Sequence, residues 1–268
     1  MTQLNQQALD LTGKQFMYGK PEVLNKDLHA DLRYQSAAAP FAKAQALHLV
    51  PLLVGEFAQA MQHYPIIFAG EKKTPLAVMG LAGKNFFIQD GNIEAGAYVP
   101  AYLRRHPFTL ASAGSDQFVV CIDRDEAGFV TEGEGQALFE NGEPTALTRH
   151  AMDFLGEFQV ETVRTDNFVK MLDEAGLLEV KNTVFVVDGH SEPVAEYIAV
   201  SEERIAALSD EQLVELVRSG AMAVVNAHLL SLQQWTALLA RRTLAASADT
   251  QAANVAPVTQ ESAATQVD

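Results

Sequence analysis

The chain has 268 residues, of which 48% are hydrophobic and 20% are charged, with a formal net charge of −15 and a pI near 4.8. This length can bury a sizeable core as one large domain or as two small ones. The acidic balance argues against a nucleic-acid partner, because phosphate backbones are bound by clustered Lys and Arg. It also disfavours charge-driven attachment to anionic lipid headgroups.

Cysteine content and the absence of targeting signals predict a cytoplasmic protein. Cys121 is the single cysteine, so one chain can form no internal disulfide and no thiolate metal cluster. The first residues carry neither a basic region nor an apolar run as long as a secretion signal requires. Residues 221–240 are uncharged and about long enough to cross a bilayer, but polar residues interrupt them. Their helical apolar spacing favours a helix docked on the protein core, and we expect no transmembrane segment.

The first 145 residues change character near residue 45. Residues 1–44 have weak periodicity, interrupted by Pro21 and Pro40, and predict an extended amino-terminal arm. Residues 45–145 predict a β-rich region, an antiparallel sheet or a small barrel, because short apolar runs alternate with glycine-rich turns. A short helix is expected at 52–61, before the first of these runs. The runs lie at 64–68, 76–80, 85–89 and 117–123.

Residues 146–244 predict a mainly helical region that contains one hairpin. Apolar residues at helical spacing mark faces at 147–158 and 168–175, and Gly176 follows as a helix stop. A hairpin is predicted from 183–187 and 197–200 around a turn at 188–189. Ser209 with Gln212 forms a capping-box signature for a helix that Gly220 ends.

The carboxyl-terminal residues 245–268 have no aromatic residue, leucine or isoleucine, and such a composition predicts a disordered tail. Together these patterns predict an α+β fold. Residues 45–244 form the folded domain, in which an amino-terminal antiparallel sheet or small barrel packs with the carboxyl-terminal helical region.

The cationic segment, residues 98–108, is the most specific stretch of the sequence. Pro100 and Pro107 bracket about one and a half turns of helix, because proline suits a first helical position and disfavours helix in the residue before it. We expect a rigid corner, and two interpretations of it follow. In the favoured one, the arginines pair with the chain's own acids and the tyrosines pack into the sheet. In the other, the guanidinium groups grip a carboxylate or phosphate between tyrosine walls. The candidate binding residues are Tyr98, Tyr102, Arg104, Arg105 and Phe108.

Other candidate chemistry is weaker. Residues 123–134 place acids at the first, third and twelfth positions of a calcium loop, but Ala127 stands where an oxygen ligand is required and a strand pattern precedes the loop. We therefore expect no bound metal. The sequence also lacks phosphate-loop, dinucleotide and nucleophile-elbow signatures, and no cofactor is expected. His63, His106 and Asp123 remain open as acid–base groups, and the balance favours a protein that is not an enzyme.

Several segments in order resemble the bacterial SapC family named for surface-layer protein secretion. The resemblance runs from about residue 47 to residue 242, and the cationic segment is its most specific part. The matching segments are 50–57, 64–68, 98–108, 121–123, 138–145, 208–212 and 227–232. His106 departs from the pattern, because relatives usually carry tyrosine there.

The resemblance implies a soluble bacterial accessory factor, without assigning a reaction, and it implies a link to outer-membrane receptor systems. Two hypotheses follow. In the first, the chain is a non-enzymatic binding factor for a surface-layer or outer-membrane protein, and the cationic segment is its recognition surface. In the second, the chain is a cytoplasmic enzyme or small-molecule-binding protein whose anionic ligand is held by Arg104 and Arg105. The sequence leaves the oligomeric state open, a homo-oligomer included.

Overall fold

The computed structural model describes residues 17–112, 114, 117–187 and 190–255, and it confirms the mixed α+β class. Strands dominate up to Pro144 and helices dominate after it. The strands are β1 Pro21–Val23, β2 Arg33–Tyr34, β3 Leu49–Pro51, β4 Ile66–Ala69, β5 Thr74–Val78, β6 Gly80–Leu81, β7 Lys84–Asn85, β8 Ile88–Gln89, β9 Asn92–Ile93, β10 Phe108–Ser112, β11 Phe118–Asp123, β12 Phe129–Val130, β13 Gln136–Ala137, β14 Phe139–Glu140, β15 Glu143–Pro144, β16 Leu178–Val187 and β17 His190–Val200. The helices are α1 Phe57–Ala60, α2 Ala101–Arg104, α3 Ala146–Glu174, α4 Glu202–Ala206, α5 Asp210–Arg218, α6 Ala221–Ser231 and α7 Gln234–Val255.

The largest sheet is antiparallel and has the order β16-β17-β4-β5-β3. All four residues of β4 are buried, since this strand has neighbours on both sides and side chains packed on both faces. The main core around it includes Phe57 of α1, Leu172 of α3, Val225 of α6 and Leu238 of α7. The helices thus cover a sheet of which the β-rich half supplies three of the five strands, β3, β4 and β5.

Two three-stranded sheets, β1-β11-β10 and β12-β2-β13, lie beside a second, smaller core. Residues 17–44, for which the sequence predicts an extended arm, supply β1 and β2, which pair with strands of the β-rich region. The second core contains Leu32, Phe108, Ile122, Leu138 and Leu155.

The hairpin of β16 and β17 is present, and β17 pairs with β4 through Ile198 and Phe68. The hairpin therefore belongs to the central sheet and not to a separate helical layer. Its inward residues Ala195, Tyr197 and Ala199 alternate along the strand and are buried, which explains this placement. The predicted turn at 188–189 lies outside the described residues.

The two predicted apolar faces at 147–158 and 168–175 belong to one 29-residue helix, α3. Thr145 caps its start by accepting the amide of Thr148, and Gly176 follows its end with a φ of 65°. The capping box of Ser209 and Gln212 is also present at the start of α5. These local stop and start signals are confirmed where the sequence placed them.

The uncharged segment 221–240 forms α6 and the first part of α7, with a break after Ser231. Both helices dock on the core, and His228 is fully buried, where its Nε2 accepts the amide of Val200. Among the described residues, no single helix has both the length and the apolar character to span a bilayer. One bent pair, Asp210–Arg218 with Ala221–Ser247 at 89°, meets that test only when the two pieces are taken together.

The predicted start of the disordered tail at residue 245 is wrong, because α7 continues to Val255. Alanine is the strongest helix former, so an alanine-rich stretch can extend a helix that is already anchored at Trp235 and Leu238. Residues 256–268 lie outside the described part of the chain.

Candidate functional site

The cationic segment forms a single helical turn between its two prolines. Pro100 precedes α2 in an extended conformation, α2 runs to Arg104, and Arg105 closes the turn with its amide bonded to the Ala101 carbonyl. A cis peptide joins His106 to Pro107, after which Phe108 opens β10. The bracketing predicted from the two prolines is therefore what the structure shows.

The five candidate binding residues do not share one surface. Arg104 is exposed, Tyr98 and Arg105 are partly buried, and Tyr102 and Phe108 are buried. Phe108 belongs to the second core, where its ring packs edge-on against Tyr34 at 6.2 Å between ring centroids. The structure therefore brings Tyr98 and Arg104 together at the surface, while Tyr102 and Phe108 form part of the packing beneath.

The side chain of Arg104 is held in place before any partner arrives. Its Nε donates to the Val99 carbonyl at 3.0 Å, and its guanidinium carbon lies 5.3 Å from the centre of the Phe154 ring. One terminal nitrogen, Nη2, lies 3.5 Å from the Tyr98 hydroxyl. A guanidinium fixed by its Nε and by a ring face loses less side-chain entropy when it binds an anion.

Arg105 has a different role, because aromatic rings surround it. Its guanidinium carbon lies 4.4 Å from the ring centre of Tyr102, 4.8 Å from that of Phe158 and 5.7 Å from that of Tyr18. Its Nε is buried and makes no hydrogen bond among the described residues. Arg105 thus joins the cationic segment to α3 through stacked rings, and we assign it to the support of the site.

A buried carboxylate, Glu56, fixes the start of the cationic segment. Its Oε1 accepts the Ala101 amide at 2.7 Å and the Tyr98 hydroxyl at 2.8 Å, and its Oε2 accepts the Leu53 amide at 2.8 Å. Burial raises the pKa of Glu56, although these hydrogen bonds and the nearby Arg104 act in the opposite direction. Sequence analysis missed this residue. Its side chain returns to the Leu53 amide at the start of the 3-10 helix Val54–Glu56, but leucine has no side-chain acceptor, so the sequence carries no capping-box signature there.

An open groove of about 950 Å³ runs past Tyr98 and Arg104. One wall is the segment from Leu53 to His63, the second is the segment from Gly96 to Arg104, and the third is α3. The groove carries aromatic rings, two amide side chains and charges of both signs. Its side-chain lining includes Gln59, Gln62, His63, Phe154, Glu157, Phe158, Glu161 and Arg164.

A model of the SapC family matches residues 24–238, which is most of the chain. The chain belongs to the SapC family. Comparison with curated proteins and comparison with solved structures each gave no match. Two of the segments that carry the SapC resemblance, 50–57 and 98–108, both contribute to the groove, where Glu56 bonds one to the other.

A second buried acid, Asp123, holds the other end of the cationic segment in this SapC protein. The Asp123 carboxylate is fully buried and accepts Lys43 Nζ at 2.7 Å, the Lys20 amide at 2.8 Å and the Gly19 amide at 3.1 Å. The ring Nε2 of His106 lies 3.4 Å away. Burial alone would raise the pKa of Asp123, but these donors outweigh it and lower the pKa to about 2.

The three acid–base candidates therefore occupy different environments. His63 lines the groove, whereas His106 and Asp123 are buried together beside Lys43. Burial lowers the pKa of His106. Asp123 is the first position of the calcium-loop pattern at 123–134, and its oxygens already accept hydrogen bonds from Lys43 and from backbone amides. This position therefore belongs to a buried hydrogen-bonded cluster. Among the described residues, no group of three or more His, Cys, Asp or Glu has metal-binding geometry.

Proposed function

We propose that this SapC-family protein is a non-enzymatic binding factor that holds a segment of a partner protein in the groove beside Arg104. The observation that carries the proposal is the exposed guanidinium of Arg104, fixed by the Val99 carbonyl and the Phe154 ring at the mouth of an open groove. A preorganised cation of this kind binds a carboxylate at low entropic cost.

The groove lining suits a polypeptide. The amides of Gln59 and Gln62 can both donate to and accept from a peptide backbone, and Phe154 and Phe158 can receive an apolar side chain. Its volume lies near the upper end of the range for ligand sites, roughly 300–1,000 Å³. Because the groove is open to solvent, a polypeptide segment can enter it from outside. The partner segment we propose therefore carries an acidic side chain for Arg104 beside an apolar one.

The family context suggests where such a partner belongs. The resemblance to the SapC family implies a surface-layer or outer-membrane protein as the partner, and we propose that the protein binds it in the cytoplasm. Binding would keep an acidic and apolar segment of that protein covered before export.

One observation favours a second function. Glu56, with its raised pKa, and His63 both line the groove that reaches Arg104, so a small anionic molecule could be bound there and meet acid–base groups. In this second proposal the protein acts on a small ligand instead of a polypeptide. The two proposals share Arg104 and differ in the size of what it holds.

The test compares the Arg104→Ala variant with the parent protein in capture of the host's purified surface-layer and outer-membrane proteins. We expect Arg104→Ala to lose at least tenfold in affinity with an unchanged melting temperature, because the side chain is exposed. Arg218→Ala is the matched control, since Arg218 is also exposed but lies on α5 outside the groove.

Equal capture by Arg104→Ala and the parent would contradict the proposal. Native mass spectrometry of protein purified from its own host separates the two functions. A retained small anion that Arg104→Ala loses, without any protein captured, would favour the second.

A further inference from the structure

The edge strand β16 is a second surface feature, separate from the groove. Among the described residues, the central sheet ends at β16 on one side and at β3 on the other. β3 has three residues and ends in Pro51, which blocks pairing, whereas β16 has ten residues. Long unblocked edges are templates for a further strand, and most proteins shorten, charge or cover them.

The backbone of β16 presents its hydrogen-bonding groups outward at alternate residues. The Leu177 carbonyl accepts a hydrogen bond from the Ser201 amide and so faces the β17 side. The Leu178 carbonyl accepts one from the Arg204 guanidinium and so faces away from β17. Because these groups alternate in direction along a strand, those of Val180, Asn182 and Val184 point away from β17.

The β-bulge in this hairpin leaves β16 regular. Thr183 pairs with Ala195 and Val184 pairs with Pro193, so the extra residue, Val194, belongs to β17. The outward alternation of β16 therefore continues through Val184.

Two apolar side chains along this edge are exposed. Val180 is 62% exposed and Val184 is 56% exposed, and the exposed Asn182 lies between them on the same face. Within the described part of the chain, the stretch of β16 that has no neighbour on its outer side begins at Glu179, since the Arg204 guanidinium already donates to the Leu178 carbonyl.

We propose that a second copy of this chain pairs with β16 in an antiparallel arrangement about a two-fold axis at Asn182. In this register Val180 lies opposite Val184 of the second copy, Val184 lies opposite Val180, and the two Asn182 amides face each other. All three pairs join outward-facing backbone groups and form about six hydrogen bonds. Lys181 lies opposite Thr183 of the second copy, so no like charges oppose each other.

The sequence of the edge favours a second copy over an unrelated strand. A two-fold interface requires one surface that complements itself, and the Val-x-Asn-x-Val pattern from 180 to 184 is symmetric about Asn182. The two central sheets would then form one continuous sheet. No residue of β16 lines the groove, so the pairing is independent of the proposed function.

The first experiment is sedimentation of the full chain over a range of concentrations. We expect a reversible dimer for the parent and a monomer for the double variant Val180→Lys with Val184→Lys, in which like charges would oppose each other across the edge. The matched control is Val160→Lys with Val163→Lys, two exposed valines on α3, which should stay dimeric. A parent that is monomeric up to its solubility limit, or a dimer that survives the β16 variant, would overturn the proposal.

The second experiment fixes the register by oxidative cross-linking. Asn182→Cys should form a covalent dimer, since directly opposed residues have Cα atoms about 5.5 Å apart, within disulfide range. Val180→Cys should not, because its copy would lie about 13 Å away along the strand. Cys121 is buried with a raised pKa and serves as a silent background in both. Equal cross-linking of the two variants would contradict the two-fold axis at Asn182.

Discussion

Replacing Asp123 with Asn should destabilise the fold strongly at neutral pH and less in acid. The carboxylate is fully buried and accepts a lysine, a histidine and several backbone amides that join the segment at 19–20 to β11. Asparagine offers one oxygen where aspartate offers two, so its NH2 group would face Lys43 or the backbone donors.

The pKa of Asp123 sets the magnitude. It falls from 3.8 in an unfolded chain to about 2 in the fold, and this difference corresponds to about 2 kcal/mol of stability. A carboxyl group whose pKa is lower in the fold than in the unfolded chain stabilises the fold at pH values above the pKa of the unfolded chain. This stabilisation is lost as the pH falls toward the pKa of the folded protein. The full contribution is therefore present at pH 7, and roughly half of it is left at pH 3.

The assay is urea unfolding of the parent and of Asp123→Asn at pH 7 and at pH 3. Comparing the two proteins at each pH cancels the effect of acid on the rest of this acidic chain. We expect a difference of at least about 2 kcal/mol at pH 7 that narrows by about 1 kcal/mol at pH 3. Asp166→Asn, an exposed change on α3, should differ little from the parent at either pH.

A difference that stays the same at both pH values would refute this reasoning. It would mean that the shape of the side chain, and not its charge, stabilises the cluster. A difference that widens in acid would reverse the sign of the argument and show that burial dominates over the donors.

Two further predictions concern the support of the cationic segment. Glu56→Gln should cost about 1–3 kcal/mol at pH 5, because its NH2 must face a buried amide donor, and the cost should shrink at pH 8. Because the carboxyl pKa is raised in the fold, the parent loses stability as the pH rises above 4.5, whereas glutamine does not titrate. Urea unfolding of the two proteins at both pH values checks this. A difference in stability that does not depend on pH would contradict it. Arg105→Lys should lower the free energy of unfolding by about 1–2 kcal/mol, because stacking on Tyr102 and Phe158 is lost. Arg104→Lys, at an exposed position, should change it by no more than about 0.5 kcal/mol. Equal melting temperatures for the two variants would contradict the assignment of Arg105 to the support of the site.

Local features of the fold were predictable from the sequence because their signals are local. The capping box at Ser209, the stop at Gly176 and the turn of helix between Pro100 and Pro107 each depend on residues within seven positions of one another. The boundary at residue 245 was wrong because composition describes the free chain. The first part of α7 is docked on the core and has already met the entropic cost of starting a helix, so residues 245–255 only extend it.

The partners of the cationic segment were not predictable, since they come from distant parts of the chain. Glu56 lies 45 residues before the Ala101 amide that it accepts, and Asp123 lies 80 residues after Lys43. The chain has 34 acidic residues, and nothing in their spacing distinguishes these two from those that face solvent. They are brought inside by the tertiary pairing of β11 with β1 and by the approach of the 3-10 helix Val54–Glu56 to the start of α2.

The two buried acids change how the cationic segment has to be tested. Glu56 anchors its start through Tyr98 and Ala101, and Asp123 lies beside its end at His106. A substitution at Tyr98 therefore removes a hydrogen bond from a buried carboxylate as well as a wall of the groove, and its effect on binding cannot be separated from its effect on stability. Arg104 is coupled to Glu56 more weakly, because its side chain is exposed and reaches the Tyr98 hydroxyl only through Nη2 at 3.5 Å. It follows that Arg104, among the five residues that the sequence singled out, is the one whose loss measures recognition most directly.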